Sequence, residues 1–163
     1  MSSDTLSTLA ASVGAKLAAQ GAMLATAESC TGGWVAQALT AIAGSSTWFE
    51  RGFVTYSDAA KQEMLGVRAD TLARYGAVSE HTAREMATGA LAHSRAQLAL
   101  AITGIAGPGG GSPEKPVGTV CFAWAMKDGA LDAETRHFNG DRESVRRQAV
   151  MVALRGVLRM LQA

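Results

Sequence analysis

Thr26-Ala27-Glu28-Ser29-Cys30-Thr31-Gly32-Gly33 is where one pattern of this chain stops and another starts. A largely apolar run, 22–27, reads as a buried strand and ends at a carboxylate, two hydroxyls, a thiol and two glycines. The run Trp34-Val35-Ala36-Gln37-Ala38-Leu39 then opens an amphipathic helix pattern. A strand that turns through small polar residues into a helix leaves unpaired N–H groups and hydroxyls at one point, which suits an anion or a polar substrate. No Gly-Lys-Ser/Thr closes the turn, so it is not a Walker A loop and implies no nucleoside triphosphate. A well-capped strand–helix turn without a ligand is the alternative reading of the octapeptide taken alone.

Apolar positions at helical spacing predict a helix over 6–20, ended by Gly21, and a second helix over 33–42, broken by Gly44-Ser45-Ser46. Residues 49–56 read as a strand. Short helices are expected over 58–64, with Ser57 or Asp58 as N-cap and Gly66 as terminator, and over 68–74. Ser79-Glu80-His81-Thr82 starts a longer helix running to 94. The almost wholly apolar stretch 97–103 predicts a central strand covered on both faces. After a Gly/Pro-rich loop over 104–116, strands over 117–126 and 131–138 form a hairpin around Lys127-Asp128-Gly129. A final helix over 142–161 has Asp141 as N-cap. The expected fold is a three-layer α/β/α domain spanning 1–163, with a mixed, largely parallel central sheet and a C-terminal hairpin plus helix.

Composition agrees with a compact globule: 163 residues, 48% hydrophobic and 18% charged. The formal net charge of +1 gives no nucleic-acid footprint over the surface as a whole; Arg142, Arg146 and Arg147 are a local exception. No apolar run has the length of a membrane span and the N-terminus lacks a signal-peptide layout, so no membrane partner and a cytoplasmic location are expected. Cys30 and Cys121 are expected to be free thiols. His81, His93 and His137 are scattered and no ligand spacing suggests a metal, so none is expected.

The stretch Ile102-Thr103-Gly104-Ile105-Ala106-Gly107-Pro108 repeats the logic of the octapeptide, with a central strand ending in Thr-Gly and a glycine-rich loop after it. Ligands of open α/β sheets gather at the carboxyl ends of strands, so the two loops should converge on one crevice. Tyr56 at a strand end and Lys61 in the first turn of the next helix can reach the same surface. A lysine in a pocket, or a tyrosine beside it, can take the proton of a serine hydroxyl. Ordinary structural roles for Ser45, Tyr56 and Lys61 stand as the alternative.

At this point the sequence resembles a known family. Ala27-Glu28-Ser29-Cys30-Thr31-Gly32-Gly33, Gly44-Ser45-Ser46 with Phe49-Glu50-Arg51-Gly52, Val54-Thr55-Tyr56-Ser57 with Lys61, Tyr75-Gly76-Ala77-Val78-Ser79, Thr103-Gly104-Ile105-Ala106-Gly107-Pro108 and Lys115-Pro116-Val117-Gly118-Thr119-Val120 are similar to the CinA C-terminal domain family, in the family's order and over essentially the whole chain. Larger members carry an additional N-terminal domain, not found in these residues, which favours the stand-alone type, the nicotinamide-nucleotide amidohydrolases.

The resemblance implies hydrolysis of the carboxamide of nicotinamide mononucleotide (NMN) to nicotinate mononucleotide and ammonia, with no cofactor. It also implies Ser46 as nucleophile with Tyr56 and Lys61 as the proton-transfer pair. Ser29, Cys30, Thr31, Gly32, Thr103, Gly104 and Gly107 are expected to bind the substrate. Cys30 competes for the nucleophile's role and Ser45 is the nearest rival by position. For Arg142 and Arg146 a substrate-phosphate or subunit-interface role stands beside a solvated helix face, Lys115 is a weaker binding candidate, and none of the three is placed among the expected site residues. A homo-oligomer, a dimer first, is expected. The competing classes are a non-catalytic nucleotide-binding or regulatory module and an amidase for another carboxamide.

Overall fold

The computed structural model describes residues 3–162. Helix α1 (Ser3–Ala19) leads into strand β1 (Leu24–Glu28), helix α2 (Trp34–Thr40), a one-turn 3-10 helix (Ser45–Thr47) and strand β2 (Phe49–Val54). Helices α3 (Asp58–Leu65), α4 (Ala69–Tyr75) and α5 (Glu80–Ala92) precede β3 (Leu98–Gly104), the hairpin β4 (Thr119–Met126) and β5 (Leu131–His137), and the long α6 (Arg142–Gln162). The sheet order is β2-β1-β3-β4-β5, with β1 parallel to both β2 and β3 and the last two pairings antiparallel.

The two faces of the sheet are built from different residues, and period-two alternation separates them. One face carries Leu24, Leu98, Leu100, Ile102, Phe122 and Trp124, packed under α1, α2 and α6. The other is nearly all alanine at its centre, with Ala25, Ala27, Ala99, Ala101, Ala123 and Ala125 facing α5. Small side chains let that helix lie close, and a Cβ on its Gly89 would stand 1.9 Å from the Leu65 carbonyl oxygen of α3. On the opposite face Gly156 of α6 makes room for the Trp124 indole, whose Nε1 donates to the Ala153 carbonyl at 2.9 Å. No helix among the described residues is long and apolar enough to cross a membrane.

The predicted elements are present, with shifts at their ends that have local causes. Ala22 closes the C-terminus of α1 through Ala22 N–H to Leu17 O at 2.9 Å, so β1 starts two residues later than expected and extends through Glu28. The strand predicted over 49–56 stops at Val54 because the chain turns there towards α3.

Candidate active site

Strands β1, β2 and β3 run in one direction, so their carboxyl ends, at Glu28, Val54 and Gly104, lie at one edge of the sheet. Glu28 is buried, and its carboxylate accepts from Thr31 Oγ1 at 2.7 Å, Val35 N at 2.9 Å and Ala36 N at 3.1 Å. The last two are orphan donors of the first turn of α2. The N-cap residue, Gly33, has φ 100° and no side chain with which to cap them. Three hydrogen bonds and the positive helix end offset the cost of burying the charge. The turn between Glu28 and α2 is therefore fixed at its root.

Two further elements hold that turn. Ser29 N donates to Ile102 O of β3 at 3.0 Å. From α6, Arg146 Nε donates to Cys30 O at 3.0 Å and its Nη2 to Thr31 O at 3.2 Å. The Arg146 and Arg147 guanidinium carbons lie 5.4 and 5.2 Å from the Trp34 ring centroid, a cation–π arrangement.

Lys61 enters from α3, whose N-cap Ser57 accepts from Ala60 N at 3.0 Å. Its side chain points inward and is buried, and Nζ donates to Thr55 O at 3.0 Å and to Ser29 Oγ at 3.1 Å. Burial pushes the amine below the ordinary lysine range, with Asp58 and Cys30 opposing the shift. The Cys30 thiol moves the other way: burial raises it to about 11, against the pull of Arg146. A lysine shifted towards its neutral form touches a serine hydroxyl, while the neighbouring thiol stays protonated.

Ser29 and Cys30 open onto a cavity of about 280 Å³, walled by Tyr56, Arg142 and the glycine-rich loop from Gly104 to Gly110. Arg142 spans its mouth, donating through Nη1 to Gly107 O at 2.7 Å and through Nη2 to the Tyr56 hydroxyl oxygen at 2.9 Å. Lys115 straps the far side of the same loop to the end of α4, through Nζ to Tyr75 O at 2.6 Å. A larger groove of about 590 Å³, lined by Leu65, His81, Glu85 and His93, lies away from these groups and contains neither Ser29 nor Lys61.

The structure sorts the residues expected from the sequence. It brings Ser29, Cys30, Tyr56, Gly104 and Gly107 to one cavity and sets Lys61 against Ser29. It does not bring Ser46 there. Ser46 is exposed in the 3-10 turn before β2, whereas Tyr56 and Lys61 follow the end of β2. A six-residue strand lies between, roughly 17–20 Å of chain, so a proton cannot pass directly between Ser46 and Lys61.

Thr31 and Thr103, also expected to bind substrate, are engaged within the protein. Both are buried, their hydroxyls donate to Glu28 and to Ala77 O at 2.8 Å, and neither borders the cavity. Gly32 lies outside it as well, beside Arg146. Sequence reasoning left out Glu28, which caps α2 from the strand just before it, and left the role of Arg142 open, although its partners Gly107 and Tyr56 bring it to the cavity mouth from 35 and 86 residues away. The signals in the sequence were a carboxylate ending an apolar strand and an arginine at a helix start.

Residues 6–161 match the CinA C-terminal domain. The chain is 58% identical over 154 residues to the nicotinamide-nucleotide amidohydrolase PncC of Escherichia coli strain K12, covering 94% of this chain and 93% of that protein. It is 51% identical to the protein of the same name from Pseudomonas putida, over 96% of this chain and 98% of that one. Among solved structures, the competence/damage inducible protein CihA from Agrobacterium tumefaciens superposes with a TM-score of 0.93 at 48% identity, covering 97% of this chain and 96% of that one. The chain belongs to the CinA C-terminal domain family.

Proposed function

We propose that this protein hydrolyses the carboxamide of NMN to nicotinate mononucleotide and ammonia, with Ser29 as nucleophile and Lys61 as its base. The observation that carries the reading is the 3.1 Å contact between Lys61 Nζ and Ser29 Oγ at the strand ends that border the cavity. The names and high identity of the amidohydrolase relatives support the substrate. Neutral Lys61 takes the Ser29 proton as Oγ attacks the carboxamide carbon, and the carbonyl π electrons move to oxygen. Backbone N–H groups bordering the cavity at Cys30 and in the glycine-rich loop receive that oxyanion. The lysine proton passes to the departing amide nitrogen and ammonia leaves. Water then attacks the acyl ester while Lys61 takes its proton; collapse releases the acid and returns the proton to Ser29.

Burial serves this cycle, because a lysine in its ordinary range would be protonated at neutral pH and could accept nothing. Tyr56 shapes the wall and holds Arg142, and the hydroxyl bond it makes is not to Lys61. With both cysteines free and a nucleotide as substrate, the enzyme is read as cytoplasmic. The test is ammonia release from NMN, nicotinamide riboside and nicotinamide in the presence of EDTA. Turnover of NMN is the expected result. Binding of NMN without ammonia would replace the enzyme by a nucleotide-binding module, and preference for nicotinamide would replace the substrate.

A further inference from the structure

Arg142 is placed against the usual rules for an arginine on a helix. It is the first residue of the 21-residue helix α6, where the helix dipole disfavours a cation. Its neighbours follow the rule: Asp141 caps the helix by accepting from Ser144 N at 2.9 Å, and Glu143 stands in the first turn. No carboxylate of a described residue forms an ion pair with the Arg142 guanidinium. Both of its hydrogen bonds end on neutral oxygens, a backbone carbonyl and a phenol. Arg146, one turn further on, differs: its fork is committed to Cys30 O and Thr31 O and supports the Ser29 turn.

The cavity that Arg142 closes is bordered by no acidic side chain. Its inner end holds Ser29, and the wall between is largely glycine backbone. Of the residues that border the cavity, Arg142 is the one that carries a permanent charge. A phosphate monoester matches the guanidinium fork with two charge-assisted hydrogen bonds, each stronger than those now made to Gly107 O and Tyr56 Oη. A substrate with an amide at one end and a phosphate at the other has only one way to fit.

We propose that Arg142 anchors the 5′-phosphate of the substrate by releasing Tyr56 and Gly107, and that it is the residue by which the enzyme distinguishes NMN from its phosphate-free riboside. This rests on the amidohydrolase reading above. Two measurements separate the two. The first compares kcat and KM for NMN and nicotinamide riboside in the wild type, Arg142→Ala and Arg142→Lys. The second is calorimetric binding of ribose 5-phosphate, which carries the phosphate and no amide, to the same three proteins, with melting curves as the folding control.

Loss of the anchor is expected to raise KM for NMN roughly 10- to 100-fold, the range for a hydrogen-bonded charge, with kcat changed less than about threefold. kcat/KM for the riboside should fall by a clearly smaller factor than that for NMN, and Arg142→Lys should recover part of the NMN preference. Ribose 5-phosphate should bind the wild type and weaken in Arg142→Ala by a similar factor. An unchanged NMN-to-riboside ratio in a folded Arg142→Ala protein, or unchanged ribose 5-phosphate binding, overturns the proposal while leaving the nucleophile in place. Should no variant release ammonia from NMN, the amidohydrolase reading fails, and the ribose 5-phosphate titration still decides the role of Arg142.

Discussion

Two serine-bearing turns stand at opposite ends of the sheet, and their sequences are alike: Ser29-Cys30-Thr31-Gly32-Gly33 after β1 and Gly44-Ser45-Ser46-Thr47 before β2. At the first, the serine is half-buried beside a buried lysine, and Glu28 and Arg146 hold the turn from two sides. At the second, Ser46 is exposed. The turn's polar bonds are spent on itself, Thr47 Oγ1 to Gly44 O at 3.0 Å and Trp48 N to Ser45 O at 3.0 Å. The difference is the buried amine in contact with the first hydroxyl. A serine hydroxyl becomes a nucleophile through the group that takes its proton, and small polar residues around it only make the turn possible.

Removing each side of this contrast should give unequal results. Ser29→Ala is expected to lower ammonia release from NMN by roughly 10⁴-fold or more, the scale seen when a serine nucleophile is lost. Activity near that of the wild type in Ser29→Ala would erase the distinction between the two turns.

Lys61→Met comes next, with a fall of roughly 10²–10⁴-fold for a lost general base. Its stability should move the other way. Because burial lowers the folded-state pKa of Lys61, the unfolded chain binds more protons between the two values, so native stability rises with pH across that window and the amine costs stability below it. Methionine removes that cost and should raise the melting temperature at neutral pH by roughly 2–4 °C, about 1 kcal/mol in a domain of this size. The wild-type rate should climb with pH through a value below the ordinary lysine range, since only the neutral amine accepts the proton. A melting temperature that falls in Lys61→Met, or a rate flat with pH, would count against this role.

Glu28→Ala attacks the support of the first turn. It orphans Val35 N, Ala36 N and the Thr31 hydroxyl, and should cost about 2–4 kcal/mol in chemical denaturation, with loss of activity following from the misplaced Ser29. A change within roughly 0.5 kcal/mol, the scatter of neutral surface substitutions, would show that the cap is dispensable. The smallest effects belong to Ser46→Ala and Cys30→Ala. Both should keep kcat/KM for NMN within about threefold, Ser46 because it lies at the wrong end of the sheet and Cys30 because its thiol stays protonated.

Much of the architecture was legible from periodicity. Leu24 and Ala25, or Leu100 and Ala101, alternate large and small along strands that are covered on both sides, and the Asp128-Gly129 turn marks the hairpin. The two loops around Ser29 and Gly104 could be expected to meet because parallel strands share their carboxyl ends. The pairing inside the site was not legible. Lys61 reaches Ser29 across 32 residues, and nothing in a local pattern says that a first-turn lysine points inward. Thr31 and Thr103 look like ligands in a sequence of hydroxyls and glycines, yet their bonds go to Glu28 and Ala77. Arg142 meets Tyr56 across 86 residues, a distance at which composition carries no signal.

In the proposed mechanism the acyl group of the substrate is carried on the first of the two serine turns. Rapid acid quench of the wild type with NMN, followed by digestion and mass spectrometry, reads that site directly. The nicotinate mononucleotide acyl mass is expected on the peptide bearing Ser29, with fragment ions placing it on that side chain. The same mass on Ser45, Ser46 or Cys30 would contradict it.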